Sequence, residues 1–318
     1  MKMIKIILLV FGLLTSWAHA EDYAAVSVPV TPIKIGKHSY YVQGMSGAAS
    51  SANQGYMSNA GFVVTPAGVV VFDTLGTPSL AAELLKQIRK ITPLPIKYVI
   101  ISHYHADHYY GLQVFKAAGA ESWAHQNGQG AIDTEGAAER LAQRKETLFP
   151  WVDEHTQLLP ADKWLEGDKD FELGGVHFKL RFVGPAHSAE DMAMLVQEDK
   201  VLYTGDLVFR GRIPFVGDAD SNLWLAALNK LIVLKPKTMV AGHGAASVKP
   251  ELDLKFTRDY LTFLRKNMGQ AVADLVPFDE AYSKTNWGNY AKMPAFKEAN
   301  RPNAYNTYLL MEKESMTP

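Results

Sequence analysis

The chain has 318 residues, 47% of them hydrophobic and 20% charged, enough for a large buried core, and its formal net charge of −1 gives no electrostatic reason to expect nucleic acid or an anionic membrane surface as partner. Cysteine is absent, which excludes a thiolate nucleophile, a cysteine metal ligand and a dithiol redox pair. Any metal has to be held by His, Asp and Glu.

Residues 1–20 read as a secretory leader. Lys2 and Lys5 give a positive start, residues 6–14 an apolar stretch too short to span a bilayer, and Ala18-His19-Ala20 a cleavage signature before Glu21. The expectation is a bacterial protein of the periplasm or exterior with no membrane span in its mature form. Loss of the two lysines leaves 30 basic residues against 33 acidic, a mature charge of −3. Residues 24–42 alternate as strands do, and residues 44–55 form a small, polar, Gly-rich loop. Strands over 59–65 and 69–72 are joined by Pro66-Ala67-Gly68 as a hairpin, with Asp73 ending the second. Thr77-Pro78 then opens a helix carrying Leu80, Leu84, Leu85 and Ile88.

A β-branched run over 96–101 leads into Ile101-Ser-His-Tyr-His-Ala-Asp-His-Tyr-Tyr-Gly111, and Leu112, Val114 and Phe115 follow at helical spacing. Four ligand-type residues therefore occupy a strand-to-helix turn. His103 and His105 are two apart, so in nearly extended chain their imidazoles share a side. Asp107 and His108 start the helix, where neighbours diverge by about 100° and can address a second centre. Three imidazoles and a carboxylate so close suit a borderline-soft cation such as zinc.

Further on, residues 121–124 read as a strand and 129–146 as helical. His125, His155 and His177 stand alone and are set aside as surface or satisfied histidines. Residues 171–183 form a hairpin around Gly174-Gly175 that ends before His187. A second hairpin over 192–203 closes on Thr204-Gly205-Asp206. An amphipathic helix over 222–234 and a strand over 238–241 lead to Gly242-His243-Gly244. Every one of these ligand-type residues lies where a strand ends, the place where layered α/β folds assemble sites from separate loops. A helix over 251–267, an irregular aromatic-rich stretch over 279–302 and a final helix opening at Asn303 complete the chain. No linker precedes them, so the expected organisation is a leader (1–20), one α/β domain (21–250) and a C-terminal extension packed on it (251–318).

Taken together, His103, His105, Asp107, His108, His187, Asp206 and His243, with Asp73 ending an early strand, resemble the metallo-β-lactamase fold superfamily over residues 26–244. The resemblance implies an α/β fold, a four-layer αββα sandwich with a metal site at one edge, here with a C-terminal helical extension. It implies two zinc ions per chain. His103, His105 and His187 would hold one, Asp107, His108 and His243 the other, and Asp206 would bridge them, while Asp73 supports the site loop.

The implied activity is zinc-dependent hydrolysis of an ester, thioester, lactone or related bond in a small-molecule substrate by a metal-bridging hydroxide, with Asp107 orienting it and passing a proton. An aspartate at the bridge is similar to glyoxalase II and lactonases. The leader and the sequence G-M-S-G-A-A-S-S-A-N-Q-G-Y-M-S-N-A-G are similar to periplasmic SoxH-like and quinoprotein-associated zinc metallohydrolases. Class B-like β-lactamase activity, a mononuclear iron persulfide dioxygenase-like enzyme and a non-catalytic maturation or binding protein are the alternatives. Substrate contacts are expected from the 44–57 loop, from Arg210 and Arg212 after Asp206, and from Tyr305 in the extension.

Overall fold

The computed structural model describes residues 23–217 and 219–316, so the expected leader lies outside the described residues. A first sheet opens with β1 (Ile33–Lys34), β2 (Ser39–Val42), β3 (Ala60–Thr65) and β4 (Gly68–Phe72), which pair antiparallel in sequence order. Helix α1 (Pro78–Ile91) crosses over to β5 (Ile96–Ile100). Thr77 caps it by accepting from the Leu80 amide at 3.1 Å, and Leu80, Leu84 and Ile88 face inward as their spacing predicts. Helices α2 (Ala106–Tyr109) and α3 (Leu112–Ala117) precede β6 (Glu121–His125), and α4 (Glu135–Thr147) precedes β7 (Lys163–Leu165). Strands β4 to β7 run parallel.

The second sheet holds β8 (Lys169–Leu173), β9 (Val176–Phe182), β10 (Met192–Val196) and β11 (Val201–Tyr203). After α5 (Ser221–Ile232) it gains β12 (Thr238–Val240), in the order β12-β11-β10-β9-β8.

Side-chain alternation builds the layers. On β4, Val70 and Phe72 meet the second sheet while Val69 and Val71 pack under α1 and α3. On β10, Met192, Met194 and Val196 face the first sheet, whereas Ala193 and Leu195 lie under α5 with Trp224 and Leu228. Such strands are buried on both faces, so they read as unbroken apolar runs. The result is helices, sheet, sheet, helices, the αββα sandwich that the resemblance implied.

Helices α6 (Pro250–Ala273), α7 (Phe278–Lys284) and α8 (Phe296–Ser315) cover the second sheet's helical side, with Leu261, Leu264, Ala304 and Tyr308 in the same core as Trp224. Two expectations needed correction here. Part of the stretch expected to be irregular is helical, and α8 begins before Asn303 and carries Pro302 inside it. Proline removes one helical hydrogen bond there, but burial of Ala299, Asn300 and Asn303 holds the helix in place. Asn303 donates to the Pro214 carbonyl (2.7 Å) and accepts from the Val216 amide (2.8 Å). Helix α6 runs past Gly269, where an added Cβ would lie 2.8 Å from Met311 Cε of α8, so that glycine marks a helix crossing and not a helix end. Among the described residues no helix is long and apolar enough to cross a membrane.

The sheets meet most closely at Gly61, where a Cβ would lie 2.1 Å from the Tyr203 ring. Gly61→Ala is expected to destabilise the fold by about 1–3 kcal/mol through overpacking. Chemical denaturation with an unchanged midpoint would show that the sheets can part there freely.

Candidate metal centre

The centre is assembled from turns at strand ends of both sheets. Asp73 follows β4 with φ of +61°, a left-handed conformation that aspartate tolerates. Its buried carboxylate accepts from the Ser102 amide and hydroxyl, both at 2.8 Å, and from His108 Nδ1 at 2.9 Å. The Ser102 hydroxyl, having donated to Asp73, accepts from His103 Nδ1 at 2.9 Å. His243 Nδ1 lies 2.7 Å from the Met57 carbonyl, which can only accept, so that nitrogen carries the proton. In His103, His108 and His243 the Nδ1 edge is therefore engaged and Nε2 is left facing the centre, the usual way a protein aims metal-ligating imidazoles.

Seven donors converge in two adjoining groups, one of His103, His105, His187 and Asp206, the other of Asp107, His108 and His243, with ligand atoms inside each group within 4.8 Å of one another. His187 Nε2 is 2.9 Å from His105 Nδ1. Asp206 spans the groups: Oδ1 lies 3.1 Å from His108 Nε2 and 3.3 Å from His243 Nε2, and Oδ2 lies 3.5 Å from His187 Nε2. Asp107 Oδ2 lies 3.3 Å from His243 Nε2.

The electrostatics of the two groups differ. Burial holds His103 well below its usual value and lowers His105, and it takes His187 to about 3, so these three imidazoles keep free lone pairs. Burial would also depress His108 and His243, but Asp206 and Asp107 outweigh it and hold His108 well above its usual value and His243 at about 9. Burial would raise the Asp107 and Asp206 carboxyls, and His108 and His243 instead pull both below the usual range. This half of the centre demands positive charge.

The donor set fits a divalent cation on a second count. His103 Nε2 is buried without a hydrogen-bond partner, a costly condition that a metal would relieve. Nitrogen and oxygen donors without sulfur suit zinc and other borderline divalent ions.

The supporting contacts were not foreseen. Asn59 donates to the carbonyls of Ala241 (2.8 Å) and Gly244 (2.7 Å) and accepts from the Gly44 amide (3.0 Å), tying the His243 turn to β3. Asp191 accepts from the Ser188 amide (2.6 Å) and hydroxyl (2.8 Å), and Glu190 accepts from the Tyr104 amide (2.9 Å). These bonds fix the His187 loop against the His105 turn. Gly242 has no room for a side chain, because a Cβ would lie 1.9 Å from Asp206 Oδ1.

Above the centre lies a cleft of about 940 Å³ walled by Ala48, Ala49 and Met57 of the expected loop, by Arg140 and Arg144 of α4, and by Phe215 and Val216. The three expected substrate residues fare differently. Arg210 is tied to Asp253 (3.3 Å) and to the carbonyls of Ala245 (3.2 Å) and Ala246 (3.1 Å). Arg212 is buried over the Phe209 and Phe215 rings and does not line the cleft. Tyr305 is not brought to the cleft: it stands half-exposed on α8 against the Phe278 ring.

The family model described as the metallo-beta-lactamase superfamily matches residues 53–243. The chain is similar to a Bacillus subtilis (strain 168) protein named "Probable metallo-hydrolase YqgX", 26% identical over 65% of this chain and 92% of that one. It is also similar to metallo-beta-lactamase IND-1 of Chryseobacterium indologenes, 25% identical over 76% of this chain and 93% of that one. In fold it is similar to the inverting sec-alkylsulfatase Pisa1 from Pseudomonas sp., with a TM-score of 0.71 and 16% identity over 88% of this chain; the match spans 50% of the sulfatase's length.

Asp73→Ala would strip the partner from His108 Nδ1 and release Ser102. Divalent-cation affinity is expected to fall about 10–100-fold, measured by chelator competition, and wild-type affinity in a folded variant would remove Asp73 from the support of the centre.

Proposed function

The chain belongs to the metallo-beta-lactamase superfamily, and on that premise we propose that it is an exported hydrolase that binds two zinc ions and cleaves an ester, thioester, lactone or related bond in a small molecule. The observation that carries this reading is the pair of donor groups at the floor of an open cleft, with Asp206 directing one carboxylate oxygen to each. A structural zinc site is normally closed by four ligands and has no use for a second group, which disfavours a purely structural role.

Bound there, a pair of divalent cations supplies a water of lowered pKa and a Lewis acid for the bond to be cleaved. The remaining tasks fall to the chain. His103, His105 and His187 contribute neutral donors, and Asp206 and Asp107 contribute the negative charge that keeps the paired cations together. Asp107 sits at the cleft side, its side chain 15% exposed where that of Asp206 is 6% exposed. It is placed to orient the attacking water and to carry a proton to the leaving group. Its backbone carbonyl is held by the Ser58 hydroxyl and the His108 ring by Asp73, so neither neighbour is free to swing. Export rests on the leader-like residues 1–20.

Metal analysis of purified protein is expected to give two zinc ions per chain. A panel of thioesters, lactones, carboxylic and sulfate esters, phosphodiesters and β-lactams is expected to reveal hydrolysis that chelation abolishes. One iron per chain, with thiol-dependent oxygen uptake in place of hydrolysis, would replace this reading with the persulfide dioxygenase-like one. Asp107→Asn is expected to weaken metal binding and, at zinc concentrations that fill both sites, to lower kcat by about 10²–10⁴; full turnover in a variant shown to hold both metals would remove the proton role.

A further inference from the structure

We propose that Arg140 and Arg144 of α4 form a subsite for an oxyanion across the cleft from its apolar wall, so that the substrate is an amphiphilic anion whose charged arm lies away from the bond that is cleaved. Both side chains line the cleft, with Gln143 and Thr147 of the same helix. At a spacing of four they are neighbours on one helix face, where like charges repel and cost helix stability. No acidic residue stands three or four positions from either arginine, and among the described residues no carboxylate pairs with them. Arg265 shows what a paired arginine looks like here, since Glu314 accepts from it twice (3.1 and 2.7 Å).

The acids of α4 are sorted away from the cleft. Glu135, Glu139 and Glu146 recur at four and seven residues on a neighbouring face, and none of them lines the cleft. A merely solvated helix face mixes its charges, as α1 does where Glu83 meets Lys86 (3.0 Å). No residue of α4 is buried, so core packing does not explain the sorting. The helix is nonetheless fixed at both ends. Thr134 caps it by accepting from the Ala137 amide (3.1 Å), and Leu148, just past its end, is buried beside Gly55.

The facing wall is apolar, built by Met57, Phe215 and Val216. At about 940 Å³ the cleft is large for a small-molecule site, so it holds a body against that wall and an arm against α4 at once. The arginines stand close to the centre. Arg140 acts on His105 and shares with it a side cavity of about 220 Å³ that Tyr109 and Tyr110 also line. This step rests on the proposed function. Two divalent cations would offset Asp107 and Asp206, and the third carboxylate of the cleft, Asp220, is engaged by the Asn222 and Leu223 amides. The cleft then presents net positive charge to its substrate, and a guanidinium fork binds an oxyanion in bidentate fashion.

The test uses aryl esters of three acyl chains of equal length, ending in a methyl, a carboxylate or a sulfonate. They are compared on zinc-loaded protein at about 0.15 M ionic strength, where charges are screened beyond about 8 Å. The ratio of kcat/KM values, charged over methyl, is expected to fall about 10-fold in the double variant Arg140→Gln, Arg144→Gln, mainly through KM. Glutamine keeps the helix propensity of arginine, and each single variant is expected to give part of the fall. Hexanesulfonate, a poor zinc ligand, reads binding apart from turnover. Its affinity for zinc-loaded and for chelator-treated protein, by titration calorimetry, is expected to fall by a similar factor in the double variant. An unchanged ratio in the folded double variant overturns the subsite. So does an equal fall when Lys86 and Lys90 of α1 are both changed to Gln, because net charge alone would then account for it. If no ester is cleaved, hexanesulfonate decides: a weaker affinity in the double variant leaves the subsite standing without the hydrolytic reading, and equal affinity overturns it. Should the double variant not fold, the same ratio in the single variants decides.

Discussion

A single carboxylate sets the geometry of this molecule's working edge. Asp73 is buried at the end of β4, and a buried carboxylate is tolerable only when its oxygens are engaged. Its partners are the Ser102 amide, the Ser102 hydroxyl and His108 Nδ1, so satisfying it fixes the turn after β5. Ser102 passes the constraint to His103. The Nε2 atoms of His103 and His108 then have one direction left, inward, where that of His103 stays unbonded and that of His108 meets Asp206 at 3.1 Å. The aim of the donors at the centre is thus a consequence of the bonds behind it.

The same logic extends across the sandwich. Asn59 at the start of β3 binds the chain on both sides of His243, and Trp224 of α5 donates its indole N–H to the Leu207 carbonyl (3.0 Å) next to Asp206. Gly242 lets the His243 turn press against the Asp206 carboxylate. Each ligand-bearing turn is therefore anchored by a residue from another element, and the donor groups are held by packed layers and not by loop conformation.

How far this was legible follows from the range of each signal. The hairpin at Pro66-Ala67-Gly68, the Thr77-Pro78 cap and the closely spaced histidines are local patterns, and the αββα layering was implied by the resemblance they completed. Asn59, Ser102, Glu190 and Asp191 were overlooked because each is an ordinary polar residue until its partner is known, and the Asn59 partner Gly244 is 185 residues away. Pro302 concealed the start of α8 for a related reason, since local chemistry argued for a break and tertiary burial prevailed. Arg210 and Arg212 look alike in sequence and differ only in what surrounds them. Tyr305 was placed among substrate contacts on aromatic character alone, and α8 turns it toward Phe278.

The two walls of the cleft are built on different principles, and that bears on how selection and chemistry are divided. The Phe215 and Val216 wall backs onto the core shared by α5, α6 and α8, where His187 rests on Trp224 (5.3 Å) and Phe209 (5.7 Å) and water is kept from behind the donors. A dry, rigid backing strengthens every charge interaction at the centre. The opposite wall is α4, none of whose residues is buried, yet it carries Arg140, Gln143, Arg144 and Thr147 to the cleft at spacings of three and four. Core packing does not dictate the sequence of that helix. Its cleft-facing stripe can change without disturbing the donors, so substrate breadth can vary on α4 while the centre, locked into the core, remains fixed.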